Sequence, residues 1–325
     1  MSLPVIDVSA LMTGATNAAK QGLARHIADA LREDGFFYAV GHGVEPSTFG
    51  QLDSAARTFF ALPEELKLDI AMAKGGRAWR GYFPLGGELT SGQPDQKEGI
   101  YFGAELSNDH PSVRAQLPLH GANLFPDSVP TLRDAVLHYM EQATTTAHAL
   151  MQGIALSLDL PADHFRRTLT TDPTCLFRIF HYPSTSVDDT RWGVGEHTDY
   201  GLLTLLATDE VPGLEVKTPR GWIEAPPIEG ALICNIGDML DRLTAGRYRS
   251  NPHRVRNISG RGRLSFPFFF DPSFDARIAP LPGFAPPLKP PARWDGQDLS
   301  AFRGIYGDWL VGKVSKVFPQ LSTAL

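Results

Sequence analysis

Cysteine is nearly absent from this chain: there are two in 325 residues, Cys175 and Cys234. Two thiols cannot build a disulfide framework and are too few for a structural zinc site. Long apolar runs are missing as well. No stretch approaches the roughly 20 residues that a membrane span requires, so no membrane partner is expected. Basic residues are not in excess: the formal net charge is −6 and there is no basic run. A nucleic-acid partner is therefore not expected either. Met1 to Asp7 has Pro4 and Asp7 where a signal peptide has a basic start and an apolar run. No repeat, low-complexity block or linker divides the chain. What remains is a globular composition, 42% hydrophobic and 20% charged. It is long enough to build a core without staples. The expectation is a reduced, cytoplasmic protein with a single core.

The 26 prolines and 31 glycines are spread along the chain, which suits many short strands joined by turns. Three periodic stretches predict helices. Residues 17–34 repeat Ala19, Leu23, Ile27 and Leu31. Residues 46–62 open on Pro46 and carry Phe49, Leu52, Ala56, Phe59 and Phe60. Residues 131–160 carry apolar side chains from Leu132 to Leu158 at helical spacing, and Pro161 stops them. Residues 36–40 predict a strand. Later the pattern changes to short apolar runs bounded by turn residues, at 176–182, 202–207, 214–217, 231–235 and 263–270. Helices first and strands later indicate an α+β fold. An antiparallel sandwich or barrel would form its core and could hold a small molecule between its sheets.

The chemistry concentrates in Gly195-Glu196-His197-Thr198-Asp199-Tyr200-Gly201. His197 and Asp199 are two apart, and on a strand alternate side chains share a face. A neutral imidazole beside a carboxylate offers two ligands to a divalent metal. His253 follows 54 residues after Asp199. Two histidines and one carboxylate on one face of a metal leave three positions open, which suits a non-haem Fe(II) oxygenase. A His-x-Asp pair alone is more often structural, but three further features favour the site. Arg263 and Ser265 alternate on a strand, and a guanidinium fork beside a hydroxyl is a carboxylate receptor. Their strand is otherwise apolar, and an unpaired arginine buried there would cost roughly 3–5 kcal/mol, so it should meet an anion. Tyr182 ends the strand that precedes the metal motif and offers a hydroxyl to the same anion.

Other motifs stand in order around these. They include Leu3-Pro4-Val5-Ile6-Asp7, Asp34-Gly35-Phe36-Phe37-Tyr38, Gly41-His42-Gly43-Val44 and Arg80-Gly81-Tyr82. Asn235-Ile236-Gly237-Asp238, Phe268-Phe269-Phe270-Asp271-Pro272 and Tyr306-Gly307-Asp308-Trp309-Leu310 follow. With them the chain resembles the isopenicillin N synthase-like family of Fe(II)/2-oxoglutarate-dependent oxygenases over nearly its whole length. The resemblance implies a double-stranded β-helix (jelly-roll) core with supporting helices on one side, usually as a monomer. It implies one oxygenase domain over 1–325. That domain comprises an N-terminal region at 1–130, the support helix and iron-bearing core at 131–285, and a C-terminal helix at 286–325. His197, Asp199 and His253 would be the catalytic metal ligands for Fe(II). Arg263, Ser265 and Tyr182 would meet the far carboxylate of the co-substrate 2-oxoglutarate, with O2 as oxidant. The implied activity is hydroxylation of an unactivated C–H bond in a small organic substrate, with decarboxylation of 2-oxoglutarate to succinate. The alternatives are an oxidase or cyclase of the isopenicillin N synthase type, which uses no 2-oxoglutarate, and a non-catalytic binding module. One departure is Phe180, where many plant members have asparagine.

Substrate contacts are expected from the polar and aromatic segment 75–103, at Arg80, Tyr82, Lys97, Glu98 and Tyr101. A solvated surface pair is the commoner fate of neighbours such as Lys97 and Glu98. Phe268 and Phe270 share one face of the Arg263 strand, either as pocket wall or as core. Arg178, four residues before Tyr182, shares its face. It is a candidate for the C1 side of 2-oxoglutarate, for a substrate carboxylate, or for a surface ion pair.

Overall fold

In the computed structural model, which describes residues 2–184, 191–285 and 293–319, the helical periodicities become α1 (Asn17–Glu33), α2 (Pro46–Phe60) and α3 (Thr131–Ser157). A further helix, α4 (Tyr306–Val317), lies near the C-terminus. The Thr16 side chain caps α1 by accepting from the Ala19 amide. Leu23, Ile27 and Leu31 are buried as the spacing predicts, whereas Ala19 is exposed in the first turn. α3 ends three residues before the predicted limit, through a Schellman turn. Asp159 takes φ 59°, the Leu160 amide donates to the Ala155 carbonyl, and the Asp159 amide donates to that of Leu156. The turn satisfies the last carbonyls ahead of Pro161.

The strands, in chain order, are β1 (Val5–Asp7), β2 (Phe36–Val40), β3 (Gly81–Phe83), β4 (Glu98–Gly103), β5 (Pro173–Tyr182) and β6 (Val194–His197). They continue as β7 (Leu203–Thr208), β8 (Leu214–Thr218), β9 (Gly221–Glu224), β10 (Leu232–Ile236), β11 (His253–Val255) and β12 (Arg263–Ser273). One sheet has eight strands in the order β1-β2-β10-β7-β12-β5-β4-β3, and a second has four in the order β9-β8-β11-β6. Chain neighbours are split between the sheets, the two faces enclose a cavity, and the α+β fold is a jelly roll.

The two faces of the large sheet carry different side chains, because successive residues of a strand point opposite ways. On β12, Phe266 packs edge-on against Phe49 of α2, and Phe270 packs against His148 of α3. On β5, Phe177 meets Tyr139 of α3. The helices thus support one side of the sheet. The other face, including Arg263, Ser265 and Phe269, looks into the cavity. Phe268 and Phe270 are fully buried on the helix side, so of the two alternatives the core holds. Cys175 and Cys234 are free and buried, and burial pushes the Cys175 thiol up to about 12. No helix of the described residues is long and apolar enough to cross a membrane.

Candidate active site

β6 and β11 are adjacent and antiparallel, and their register sets His253 directly opposite His197. The two rings are 4.2 Å apart between centroids. Asp199 is not on a strand as the His-x-Asp spacing suggested. β6 ends at His197, and Asp199 lies in the turn that leads to β7. The turn still delivers its carboxylate to the histidines: one ligand atom from each of His197, Asp199 and His253 lies within 4.8 Å of the others. Gly201 permits this turn, since a Cβ there would collide with the Asp271 carboxylate. Asp271 in turn accepts from the Leu202 amide and the Tyr306 hydroxyl.

Each of the three side chains is oriented by a second contact. His197 Nδ1 lies 2.8 Å from the Gly195 carbonyl and His253 Nδ1 lies 3.4 Å from that of Asn251, which leaves both Nε2 atoms for a metal. Asp199 Oδ2 accepts from Thr204 Oγ1 at 2.5 Å and Asn235 Nδ2 at 2.7 Å, while Oδ1 faces His253 Nε2 at 3.7 Å. Burial lowers both histidines. His253 falls to about 4 under burial and the neighbouring His197, so both imidazoles are neutral near pH 7. Burial disfavours the Asp199 carboxylate, but the two histidines and the Asn235 and Thr204 bonds outweigh it and hold its pKa down. Two neutral imidazoles and one carboxylate in this arrangement fit Fe(II).

The cavity measures about 470 Å³ and runs from this cluster along β12 and β5. At one end Arg263 and Tyr182 are cross-strand partners, and Ser265 is opposite Phe180. Arg263 is 1% exposed. Its Nε donates to the Val211 carbonyl, but its Nη1 has no hydrogen-bond partner. Its guanidinium lies over the Tyr182 ring at 5.0 Å, and Ser265 Oγ is 3.4 Å from the Tyr182 hydroxyl. A buried cation with an unpartnered donor beside two hydroxyls is a place for a carboxylate. That fits one end of 2-oxoglutarate.

The remaining candidates separate. Arg178 lines the cavity and stacks on Tyr101 and Phe269. Lys97 also lines it, 1% exposed, with Asp95 at 2.6 Å and Glu88 at 2.9 Å. Tyr101 turns toward the same side, donates to Glu88 and lies beneath Arg178. Glu98 and Tyr82 are not at the cavity. They face α2 and bond each other at 2.6 Å, and Glu98 also takes Lys67 at 2.6 Å and His181 at 2.8 Å. The surface alternative for Lys97 and Glu98 fails for both, since each is buried. Arg80 is also removed from the cavity. It donates to the Leu119 carbonyl, and its guanidinium fills the space that a side chain at Gly103 would need.

Further residues of the cavity and its surroundings were not among the sequence candidates. Phe269, rather than Phe268 or Phe270, lines the cavity, and strand parity with Arg263 already carried that signal. Thr204 and Asn235 are polar residues on apolar strands, which marks them as partners of something buried. Glu88 and Asp95 had no sequence signal: they are recognised through Lys97. Asp271, within the motif at 268–272, also lines the cavity, and burial raises its carboxyl to about 7.

Two family models match the chain. One, described as non-haem dioxygenase in morphine synthesis N-terminal, covers residues 3–128, and the other, the 2OG-Fe(II) oxygenase superfamily, covers residues 173–272. A relative named "Probable iron/ascorbate oxidoreductase" from Dictyostelium discoideum is 45% identical, over 98% of this chain and 95% of its own. A homoarginine-6-hydroxylase of Oryza sativa subsp. japonica is 36% identical, with 96% of each chain covered. Among solved structures, a full-length Neurospora crassa protein in complex with alpha-KG and thymine has a TM-score of 0.79 at 26% identity. That match covers 97% of this chain and 96% of the other.

Proposed function

Because this chain belongs to the 2OG-Fe(II) oxygenase superfamily, we propose residue roles within the Fe(II)- and 2-oxoglutarate-dependent oxygenase that it is. His197, Asp199 and His253 hold Fe(II), and Arg263, Ser265 and Tyr182 hold the far carboxylate of 2-oxoglutarate. The observation that carries this is the pairing of two features in one cavity: three converging ligand atoms and a buried arginine whose Nη1 has no partner. When bound, Fe(II) with 2-oxoglutarate and O2 supplies an oxidant for an unactivated C–H bond, with loss of CO2 and formation of succinate.

The chain contributes binding, orientation and exclusion of water. Thr204 and Asn235 fix one oxygen of Asp199 and leave the other for the metal. The Gly195 carbonyl selects the His197 tautomer with Nε2 free. Arg263 sets the direction of the co-substrate along β12. Leu176, Leu206, Val255 and Phe269 give the cavity an apolar wall that keeps water from the reacting bond. The substrate is a small organic molecule, and its hydroxylation is the outcome. Residues 1–325 work as a single domain, as a cytoplasmic monomer.

Arg263→Ala tests the assignment. The 2-oxoglutarate concentration for half-maximal succinate formation should rise about 100-fold, with iron binding retained. An unchanged requirement, or substrate oxidation without 2-oxoglutarate, would overturn it.

A further inference from the structure

We propose that Arg178 receives a carboxylate of the primary substrate, so that the enzyme acts on small organic acids. The proposal rests on the assignment of iron and 2-oxoglutarate given above. β5 sets Arg178 and Tyr182 on the cavity face four residues apart, which is about 13 Å at the rise of a strand. The two cavity arginines are each held at their own end. Arg263 lies over Tyr182 and donates to Val211. Arg178 lies against the rings of Tyr101 and Phe269, 3.9 and 4.7 Å from their centroids, and Phe269 is six residues beyond Arg263 on β12. With its far carboxylate on Arg263 and its other end turned to iron held by His197, Asp199 and His253, 2-oxoglutarate would leave Arg178 to a second molecule.

The surroundings of Arg178 say what that molecule carries. The residue is 8% exposed and its Nε has no hydrogen-bond partner. Among the described residues no carboxylate stands within ion-pair distance of it. The acids whose charges act on it are already engaged, Glu88 by the Tyr101 hydroxyl and the Lys97 ammonium, and Asp271 by the Leu202 amide and the Tyr306 hydroxyl. Rings are packed against the guanidinium, so what it offers the cavity is the edge of a planar fork. That edge matches a carboxylate through two parallel N–H bonds. Phe269 adjoins it and offers an apolar surface for the carbon skeleton of the acid.

The test is a binding measurement on protein loaded with Fe(II) and 2-oxoglutarate without oxygen. Calorimetric titrations would use benzoate, indole-3-acetate and L-homoarginine, each against its own carboxamide. At least one acid should bind about 30-fold more tightly than its amide. Arg178→Gln should abolish that preference and Arg178→Lys should keep part of it. Both variants should bind 2-oxoglutarate as the unaltered protein does, which also shows that the site is still folded. Equal binding of acids and amides, no acid binding at about 10 mM, or a variant that loses 2-oxoglutarate affinity instead would overturn the proposal. An unaltered protein that takes up no 2-oxoglutarate contradicts the assignment beneath it, and that failure is visible before any acid is added.

Discussion

The two faces of the large sheet bury charge in opposite ways. Under α2, Glu98 is satisfied by Lys67, Tyr82 and His181, and Phe60 stacks on that histidine. On the cavity side, Arg263 and Arg178 are also buried, yet Nη1 of one and Nε of the other have no partner. A saturated buried cluster holds the fold together, whereas an unsaturated one persists because something else completes it. β5 supplies a member to each, His181 to the first and Arg178 to the second, so side-chain parity on that strand separates the two.

The contrast breaks first, and with the largest expected effect, at the proposed metal ligands. Asp199→Ala or His253→Ala should lower succinate formation about 1000-fold or more, with the fold retained, measured alongside circular dichroism. Near-normal turnover in either would remove that residue from the site. Glu98→Ala, on the opposite face, should cost about 3–5 kcal/mol of stability by stranding Lys67 and His181. Its affinity for 2-oxoglutarate should stay unchanged, and denaturant unfolding would reveal a stable variant as a contradiction. Phe268→Ala should cost about 3–4 kcal/mol with substrate KM unchanged, whereas Phe269→Ala should raise KM with a smaller loss of stability. Equal KM effects would erase the distinction between the faces.

The smallest effect is on pH. Burial disfavours the Glu98 carboxylate, but the bonds from His181, Lys67 and Tyr82 outweigh it and hold its pKa at about 2, below the ordinary 4.5. Glu98 therefore adds stability above pH 4.5, and that contribution is lost as pH falls toward 2. Glu98→Gln should flatten the stability-versus-pH curve in that window. A curve of unchanged slope would mean that Glu98 is not the acid-sensitive group.

Much of this was legible in the order of residues. The helices α1 to α3 followed from apolar spacing, and α3 missed its limit only because Asp159 closes a turn whose hydrogen bonds no periodicity reveals. Strand parity placed Arg263 and Ser265 together. The same parity puts Phe269 with them and sends Phe268 and Phe270 to the helices, an inference available before the structure. The segment 75–103 was opaque for a physical reason. β4 takes its facing from its partner β5 through the pair Tyr101–Arg178, a contact between residues far apart in the chain. Nothing local could say that Lys97 turns to the cavity while Glu98 turns to α2. The Asp199 turn was hidden in the same way, because it depends on space beside Gly201 that Asp271 occupies from β12.

The most direct measurement is an anaerobic titration of the Fe(II)-loaded protein with 2-oxoglutarate, followed through the visible metal-to-ligand charge-transfer band of the chelate. The account predicts a saturable band that vanishes in His197→Ala and requires far more 2-oxoglutarate in Arg263→Ala. Iron uptake with no band, or a band that survives in His197→Ala, would contradict it.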